Sequence, residues 1–318
     1  MRLELKPLGR LAAEIEGLDC ATPLAPDLVQ ATNQALLDYP VLVIPNQLLS
    51  AAELAAFGRQ FGALESYGAG ARTTNNGRTT DSTARPSLAA LRQQAGRSTP
   101  DQILYLHPDD PDVLIMSNER RCDLSAVGIV DNAETWHADA SHRAQPCRAI
   151  ILHATRNPTA GGDTEFCDMR AVYDALSPRL KAELAGRTAT HHWSKTKNPC
   201  FAGLLDPAAQ AEGERIAALV PDMHQPAVRT HARSGRQSLF LSPRFTISVD
   251  GLSSARSMAV LNEIFAFAEM PQFCYRHRWR ENDLVIWDNS CLNHRVHSYL
   301  SNDIRCRHRI TIAGDRPC

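Results

Sequence analysis

The chain has 318 residues, and its 34 lysines and arginines nearly balance its 35 aspartates and glutamates. This balance excludes a polycation that coats nucleic acid or an acidic membrane, so we expect neither as a partner. Hydrophobic residues make up 43% of the chain, and no apolar run approaches the ~18 residues that a membrane span needs, which predicts a globular protein.

The first predicted elements alternate between helix and strand. Residues 26–37 have the apolar spacing of an amphipathic helix, and Val41–Ile44 has the pattern of a buried strand. Ser50 and Glu53 have the spacing of a capping box, which predicts a helix that ends near Phe61. We therefore expect an N-terminal helix, strand and second helix.

The composition changes from about residue 68 to residue 104. This stretch is polar and rich in Thr, Asn and Ser, with a short helical signal only at 88–94. A stretch of this length inside a compact chain is typical of a lid or binding loop, with a domain linker as the alternative. We predict a lid or insert at about 68–104.

The second half of the sequence predicts short strands separated by turns. Helices are expected at 169–184, with a new start at Ser177-Pro178, and at 253–269. We also expect strand 283–287 to pair with strand 305–312 across a loop near 301–303. Many short strands with helices mostly outside them predict a mainly β barrel or sandwich core with helical decoration. The predicted strands are 147–153, 228–231, 237–241, 273–279, 283–287 and 305–312.

The cysteines and the N-terminus indicate a reducing compartment. The nine cysteines are scattered, odd in number and never spaced as CxxC, which disfavours both a disulfide framework and a cysteine-based zinc site. Glu4 and Glu14 interrupt the stretch that an export signal would need to be apolar. We therefore expect a cytoplasmic protein.

Histidine is the commonest metal ligand, and the chain has 12 of them. His137 and Asp139 are two residues apart, so on an extended segment both side chains face one side and can bind one metal. His294 is a second candidate ligand near the C-terminus. Two histidines and one carboxylate suit iron(II) and leave positions for a co-substrate and oxygen. Taken alone, a single HxD pair is more often explained by an exposed polar strand face.

Three arginines alternate along the last predicted strand. Arg305, Arg307 and Arg309 share one face, which is costly to bury without anions. Arginine is well suited to bidentate binding of a carboxylate, so this face is a candidate anion site. A solvated edge strand is the alternative interpretation.

The order of these motifs resembles the taurine dioxygenase/TfdA family of iron(II)- and 2-oxoglutarate-dependent dioxygenases. WHAD at 136–139 is followed by GGDT at 161–164 and by WDN at 287–289. A histidine stands five residues after that motif ends, at His294, and Arg305 follows eleven residues later. PVLVIP at 40–45 and FGRQFGAL at 57–64 extend the resemblance over nearly the whole chain. It implies a double-stranded β-helix (jelly-roll) core in a single domain, 1–318.

The resemblance also implies roles for individual residues. Thr164 and Arg305 match the residues that bind the distal carboxylate of 2-oxoglutarate, which acts with O2 as co-substrate. Arg309 matches an arginine that holds the acidic group of the substrate in sulfonate-oxidising members. The residues that match the Fe(II) ligands, which also form the catalytic set, are His137, Asp139 and His294.

The activity that the resemblance implies is oxidation of a small anionic organic substrate. A sulfonate, an aryloxyalkanoate or an amino-acid derivative fits, and hydroxylation next to O, N or S would cleave the product. Ala133 replaces a polar substrate contact of the taurine enzyme, whereas residues 167–176 and 313–317 are closer to the aryloxyalkanoate-cleaving branch. Desaturation or isonitrile formation on the same scaffold, and a non-catalytic metal- or anion-binding jelly-roll, are the alternatives. A homo-oligomer is left open.

The other histidines are weaker candidates. His308 falls on the strand face opposite Arg305, which predicts a packed role. His297 lies in a predicted loop and could reach a substrate, but it misses the motif position. His142, His191 and His192 are interpreted as surface groups or as neighbours of the ligands, and no role is predicted for Arg307.

Overall fold

The computed structural model describes residues 3–65, 105–129, 133–300 and 302–318. The predicted lid at 68–104, with its helical signal at 88–94, lies outside these residues. None of the helices in the described part is long and apolar enough to cross a membrane.

Fifteen strands and six α-helices lie in these ranges. The strands are β1 (Glu4–Pro7), β2 (Ala12–Glu16), β3 (Val41–Ile44), β4 (Leu114–Ser117), β5 (Ala149–Arg156), β6 (Thr164–Asp168), β7 (Thr188–His191), β8 (Met223–Pro226), β9 (Val228–Thr230), β10 (Gln237–Leu239), β11 (Thr246–Val249), β12 (Cys274–His277), β13 (Leu284–Asp288), β14 (Leu292–Val296) and β15 (Cys306–Ile312). The helices are α1 (Pro26–Asp38), α2 (Ala51–Arg59), α3 (Met169–Ala175), α4 (Pro178–Leu184), α5 (Pro207–Leu219) and α6 (Ser254–Ala268).

The largest sheet has seven strands in the order β1-β2-β3-β13-β5-β15-β4. Its strands are antiparallel to their neighbours except β2 and β3, which are parallel. Alternate residues of its central strands point to opposite faces, so the two faces form separate cores. Leu42 and Ile286 pack on one face with the apolar side chains of α1 and α2. Val285 and Trp287 pack on the other face against Phe166 of β6.

A three-stranded sheet, β12-β6-β14, faces the inner side of the large sheet. Together the two sheets are the jelly-roll core that the sequence predicts. A third sheet, β11-β7-β8, and the hairpin β9–β10 extend the core, and α3, α4 and α6 cover them with a second apolar cluster around Val172 and Val260. The mainly β architecture with outer helices is therefore confirmed.

Local sequence signals explain where the helices begin. The Ser50 side chain accepts a hydrogen bond from the Glu53 amide, and the Glu53 carboxylate accepts one from the Ser50 amide, which completes the predicted capping box. Ser177 caps α4, with Pro178 in its first turn, as the sequence predicts for a break in the 169–184 segment. The expected helix at 26–37 and the one at 253–269 are also present.

The predicted pairing of strands 283–287 and 305–312 is wrong. β5 lies between β13 and β15 and hydrogen-bonds to both. The chain does not return directly from β13 to β15, because it first crosses to the small sheet as β14. β15 has neighbours on both sides, β5 and β4, so it is not an edge strand.

Candidate metal and co-substrate site

The segment that carries His137 and Asp139 is joined to β14 through its backbone. The His137 amide donates to the His294 carbonyl at 3.0 Å, and the His294 amide donates to the His137 carbonyl at 2.8 Å. This bridge brings the two imidazoles together, with ring centroids 4.2 Å apart. Asp139 reaches both, with its Oδ1 3.7 Å from His137 Nε2 and its Oδ2 3.6 Å from His294 Nε2.

Hydrogen bonding and burial prepare these side chains to bind a cation. His137 Nδ1 lies 2.8 Å from the Thr135 carbonyl, so this nitrogen carries the proton and Nε2 is left with its lone pair. Burial and the nearby His137 lower the pKa of His294 to about 3, which keeps its imidazole neutral. Burial alone would raise the pKa of Asp139, but Arg309 and the two histidines hold it well below its usual range.

The donor set fits iron(II). One ligand atom from each of His137, Asp139 and His294 lies within 4.8 Å of the other two. Asp139 Oδ2 is buried and lies 3.2 Å from Arg309 Nη2, but no group that the structure describes donates a hydrogen bond to it. Imidazole nitrogens and one carboxylate are the donors that iron(II) prefers, whereas a site built from oxygens alone would suit calcium or magnesium.

The WDN motif supports this site from β13. The Asp139 amide donates to Asn289 Oδ1 at 2.9 Å, and Asn289 Nδ2 donates to the Asp139 carbonyl at 3.0 Å. The preceding Asp288 is buried and pairs with His231 Nε2 at 2.9 Å. Trp287 packs against the His294 ring, with the ring centroids 5.1 Å apart. Each residue of the motif therefore positions a segment that carries a candidate metal ligand or anchors the turn beside it.

The GGDT turn brings Thr164 and Arg305 to the same end of the small sheet. Thr164 is the first residue of β6, lines the cavity and accepts a hydrogen bond from Trp279 Nε1 at 3.0 Å. Arg305 is buried, and its Nε donates to the Gly162 carbonyl at 3.3 Å. Gly162 has φ of +70°, and a Cβ atom there would lie 3.2 Å from Arg305 Cδ. A side chain at this position would crowd the arginine.

The three alternating arginines are buried or nearly so, and the solvated-edge interpretation is therefore wrong. Arg309 lines the cavity with its Nη2 3.2 Å from Asp139 Oδ2. Arg307 lies over the Trp279 ring at 4.6 Å, and its Nη1 donates to the carbonyls of Arg156 and Cys306. Arg307, for which the sequence predicts no role, thus donates hydrogen bonds to backbone carbonyls where β5 ends. It is not among the described residues that line the cavity.

The cavity itself has a volume of about 320 Å³ and opens beside the three ligands. Sequence motifs identified Thr164, Arg309 and the ligand residues among its lining, and Ala133 also lines it. They missed an aromatic and cationic wall that comes from separate segments of the chain. The wall consists of His142, Trp193, Lys195, Arg244 and Phe245.

Of the other described histidines that the sequence singles out, only His142 lines the cavity. His308 contacts His107 on the outer side of the large sheet, with ring centroids 4.9 Å apart, as its predicted face requires. His297 pairs with Glu165 at 3.0 Å and is not among the described residues that line the cavity. His191 and His192 are fully buried rather than at the surface. His142 is also buried but does line the cavity, and burial lowers its pKa to about 3.

Known proteins match nearly the whole of this chain. Residues 4–311 match the family model for the taurine catabolism dioxygenase TauD, TfdA family. An alpha-ketoglutarate-dependent 2,4-dichlorophenoxyacetate dioxygenase from Cupriavidus pinatubonensis is 35% identical over 311 residues, which cover 98% of this chain and 96% of that protein. An (S)-phenoxypropionate/alpha-ketoglutarate-dioxygenase from Sphingobium herbicidovorans is 30% identical, with 88% of this chain and 84% of that protein covered.

Solved structures give the same result. The crystal structure of AAD-2 in complex with Mn(II) and N-oxalylglycine has a TM-score of 0.73 and 26% identity to this chain. That match covers all of this chain and 99% of AAD-2. The chain therefore belongs to the taurine catabolism dioxygenase TauD, TfdA family and is an iron(II)- and 2-oxoglutarate-dependent dioxygenase.

Proposed function

We propose that His137, Asp139 and His294 bind the iron(II) of this dioxygenase. The observation that carries the proposal is the backbone bridge between His137 and His294, which holds three suitable donor atoms within 4.8 Å of one another. Bound iron(II) and 2-oxoglutarate supply the oxidative chemistry, with O2 as co-substrate. The protein orients the ligands, keeps the His294 imidazole neutral and limits the access of water.

Thr164 and Arg305 bind the distal carboxylate of 2-oxoglutarate in this proposal. Both lie next to the GGDT turn at one end of the small sheet, so a carboxylate there could accept from a hydroxyl and a guanidinium. The Thr164 hydroxyl already accepts from Trp279, which leaves its own proton to donate to the co-substrate.

The primary substrate is a small organic anion, and aryloxyalkanoates are the class that we favour. The two similar proteins named above act on 2,4-dichlorophenoxyacetate and (S)-phenoxypropionate. Arg309 lines the cavity next to Asp139, so an acidic group bound to it would place the adjacent carbon close to the metal. Aromatic side chains also line the cavity and suit an aryl ring.

We also propose that the chain works in the cytoplasm as one domain. All nine cysteines are unbridged, which suits a reducing compartment.

Replacing one iron ligand at a time tests the metal assignment. His137→Ala and Asp139→Ala should each abolish retention of iron(II) and release of succinate, because two remaining donors bind iron(II) weakly. Titration calorimetry with Mn(II) measures the metal affinity without turnover. His308→Ala is the matched control, since His308 lies on the outer face of the large sheet, away from the ligands. Full metal affinity in either ligand variant would contradict the assignment.

A further inference from the structure

The wall of the cavity carries two cations that no sequence motif indicates. The Arg244 amide donates to the Trp136 carbonyl at 3.1 Å, so this residue is anchored beside the WHAD segment. Its guanidinium lies over the Phe245 ring at 4.7 Å and donates to the Trp193 carbonyl at 2.9 Å. Both Arg244 and Lys195 line the cavity.

These two cations lie near the same aromatic ring. The Arg244 guanidinium lies 5.7 Å from the centre of the Phe201 ring, and the Lys195 ammonium lies 5.2 Å from the same ring. Burial lowers the pKa of Arg244 to about 10. Burial and the charge of Arg244 also lower the pKa of Lys195. The structure therefore brings together two positive charges at an energetic cost.

Neither charge is balanced by a carboxylate within the ranges that the structure describes. The two other arginines of the cavity differ in this respect. Arg143 lies 3.3 Å from Glu65, and Arg309 lies 3.2 Å from Asp139. For Arg244 and Lys195 the structure records only ring contacts and one backbone carbonyl. An anion in the cavity would remove this imbalance.

One aromatic ring contacts both Arg244 and a proposed iron ligand. The Phe245 ring contacts the His137 ring edge-on at a centroid distance of 5.9 Å, and the Arg244 guanidinium lies 4.7 Å from the centre of the same ring. Trp193 and His142 continue the aromatic surface, with ring centroids 4.9 Å apart. A planar ligand that lay along this wall would extend from the metal to the two cations.

We propose that Arg244 and Lys195 form a second anion-binding subsite, which takes a carboxylate or sulfonate at the end of the substrate remote from the oxidised carbon. The inference rests on the proposed function, in which Arg309 holds the acidic group next to the metal. The preferred substrate is then a dianion with a planar spacer, such as an aryloxyacetate that carries a second acidic group on its ring.

Paired ligands test the subsite. We would measure the binding of 4-carboxyphenoxyacetate and phenoxyacetate to the protein loaded with Mn(II) and 2-oxoglutarate, without oxygen, from tryptophan fluorescence. A charge-assisted contact of about 1.5–3 kcal/mol corresponds to a preference for the dianion of roughly 10- to 100-fold. Lys195→Gln and Arg244→Gln should each reduce this ratio of dissociation constants by about 10-fold or more.

Lys197→Gln is the matched control, because Lys197 lies two residues from Lys195 but pairs with Asp222 at 2.9 Å outside the cavity lining. It should keep the wild-type ratio. Lys195→Gln decides the result if Arg244→Gln fails to fold, since the Lys195 ammonium makes no hydrogen bond that the structure records. Arg244→Lys should recover part of the ratio.

Equal affinities for the two ligands in the wild-type protein, or an unchanged ratio in both variants, would overturn the subsite. Because binding is measured without turnover, the result is independent of the proposed activity. Succinate release with phenoxyacetate but no preference for the dianion would overturn the subsite alone. Preference for the dianion without succinate release from either ligand would support the subsite and contradict the proposed substrate class.

Discussion

Asn289 shows how a side chain that is not itself a proposed metal ligand can hold a proposed ligand in position. Its side-chain oxygen accepts a hydrogen bond from the Asp139 backbone amide. Its side-chain nitrogen donates to the Asp139 carbonyl and to the Cys147 carbonyl, the latter at 2.9 Å. The side chain is fully buried, so water does not compete for these groups. The position of the Asp139 carboxylate therefore depends on a residue of β13–β14 as much as on its own segment.

Asn289→Ala should weaken metal binding although it removes no ligand. The loss of a hydrogen-bond partner behind a metal ligand typically costs about 10- to 100-fold in affinity, and we expect a loss of this size for Mn(II). The buried groups left without partners should also lower the free energy of unfolding by about 1–3 kcal/mol. Titration calorimetry and urea denaturation measure the two effects.

Asn198→Ala provides the comparison. Asn198 is equally buried and donates to the Pro243 carbonyl at 2.8 Å, but it makes no recorded contact with a ligand segment. This variant should lose stability and keep its metal affinity. If both variants bound Mn(II) as tightly as the wild type, the role of Asn289 would be purely structural.

The candidate iron ligands could be identified from the sequence because their chemistry is local. His137 and Asp139 are two residues apart, and the motif order identifies His294. Arg244 and Lys195 could not be predicted, because each belongs to a segment without a motif and meets the cavity only through the fold. The same reason explains Phe245, whose contact with His137 joins residues that are distant in the chain.

Among the turns and strands, the GGDT turn shows most clearly how backbone conformation positions side chains of the site. Gly161 and Gly162 both have positive φ, and the turn delivers Thr164 to the first position of β6. A Cβ at Gly162 would lie 2.9 Å from Pro158 Cγ as well as close to Arg305. The turn therefore has to be free of side chains at this position for Arg305 to keep its place.

Gly162→Ala should raise the KM for 2-oxoglutarate with little change in metal affinity. The added methyl group would displace Arg305, so the variant should resemble Arg305→Ala, for which we expect a rise of about 10- to 100-fold from the loss of a charge-assisted contact. Succinate release at varied 2-oxoglutarate measures the effect.

The control for this substitution is Gly186→Ala. Gly186 has φ of +66°, close to that of Gly162, but no heavy atom lies within 4 Å of a Cβ at that position. Gly186→Ala should lose about 1 kcal/mol of stability from backbone strain alone, and its KM for 2-oxoglutarate should not change. The same rise in KM for both alanine variants would mean that strain, and not contact with Arg305, is the cause.

Elements with local signals could be predicted from the sequence, and elements without them could not. Caps and proline positions located α2 and α4. β14 was missed because Asn293, His294 and Arg295 interrupt its apolar pattern, although the strand is mostly buried. α5 was missed because only Gly213 of this helix is buried, so it has no apolar stripe. The prediction that β15 pairs with β13 was wrong because strand order depends on contacts between distant segments.

The whole molecule buries several histidines in their neutral form. Burial lowers the pKa of His142 and of His191 to about 3, and that of His308 to about 4. In the unfolded chain these groups titrate near 6.5. The unfolded state therefore binds more protons below that pH, so their contribution to stability is complete above about pH 6.5 and decreases as the pH falls towards 4.

The free energy of unfolding of the metal-free protein should fall between pH 6.5 and pH 4.5. Each histidine that stays neutral in the fold contributes at most about 1.4 kcal/mol per pH unit. Urea denaturation at half-unit intervals measures the slope. His308→Gln should reduce the slope by about one proton, because that side chain no longer titrates. A stability that does not change over this range would contradict neutral burial of the histidines.

The backbone bridge between His137 and His294 has a consequence for the order in which the protein matures. Its two hydrogen bonds join a segment from the middle of the chain to a strand close to the C-terminus. In the proposed site, the ligand set is therefore complete only after β14 has been synthesised and has entered its sheet. Iron uptake by this site would follow folding, and a chain truncated before β14 would lack one of the three proposed ligands.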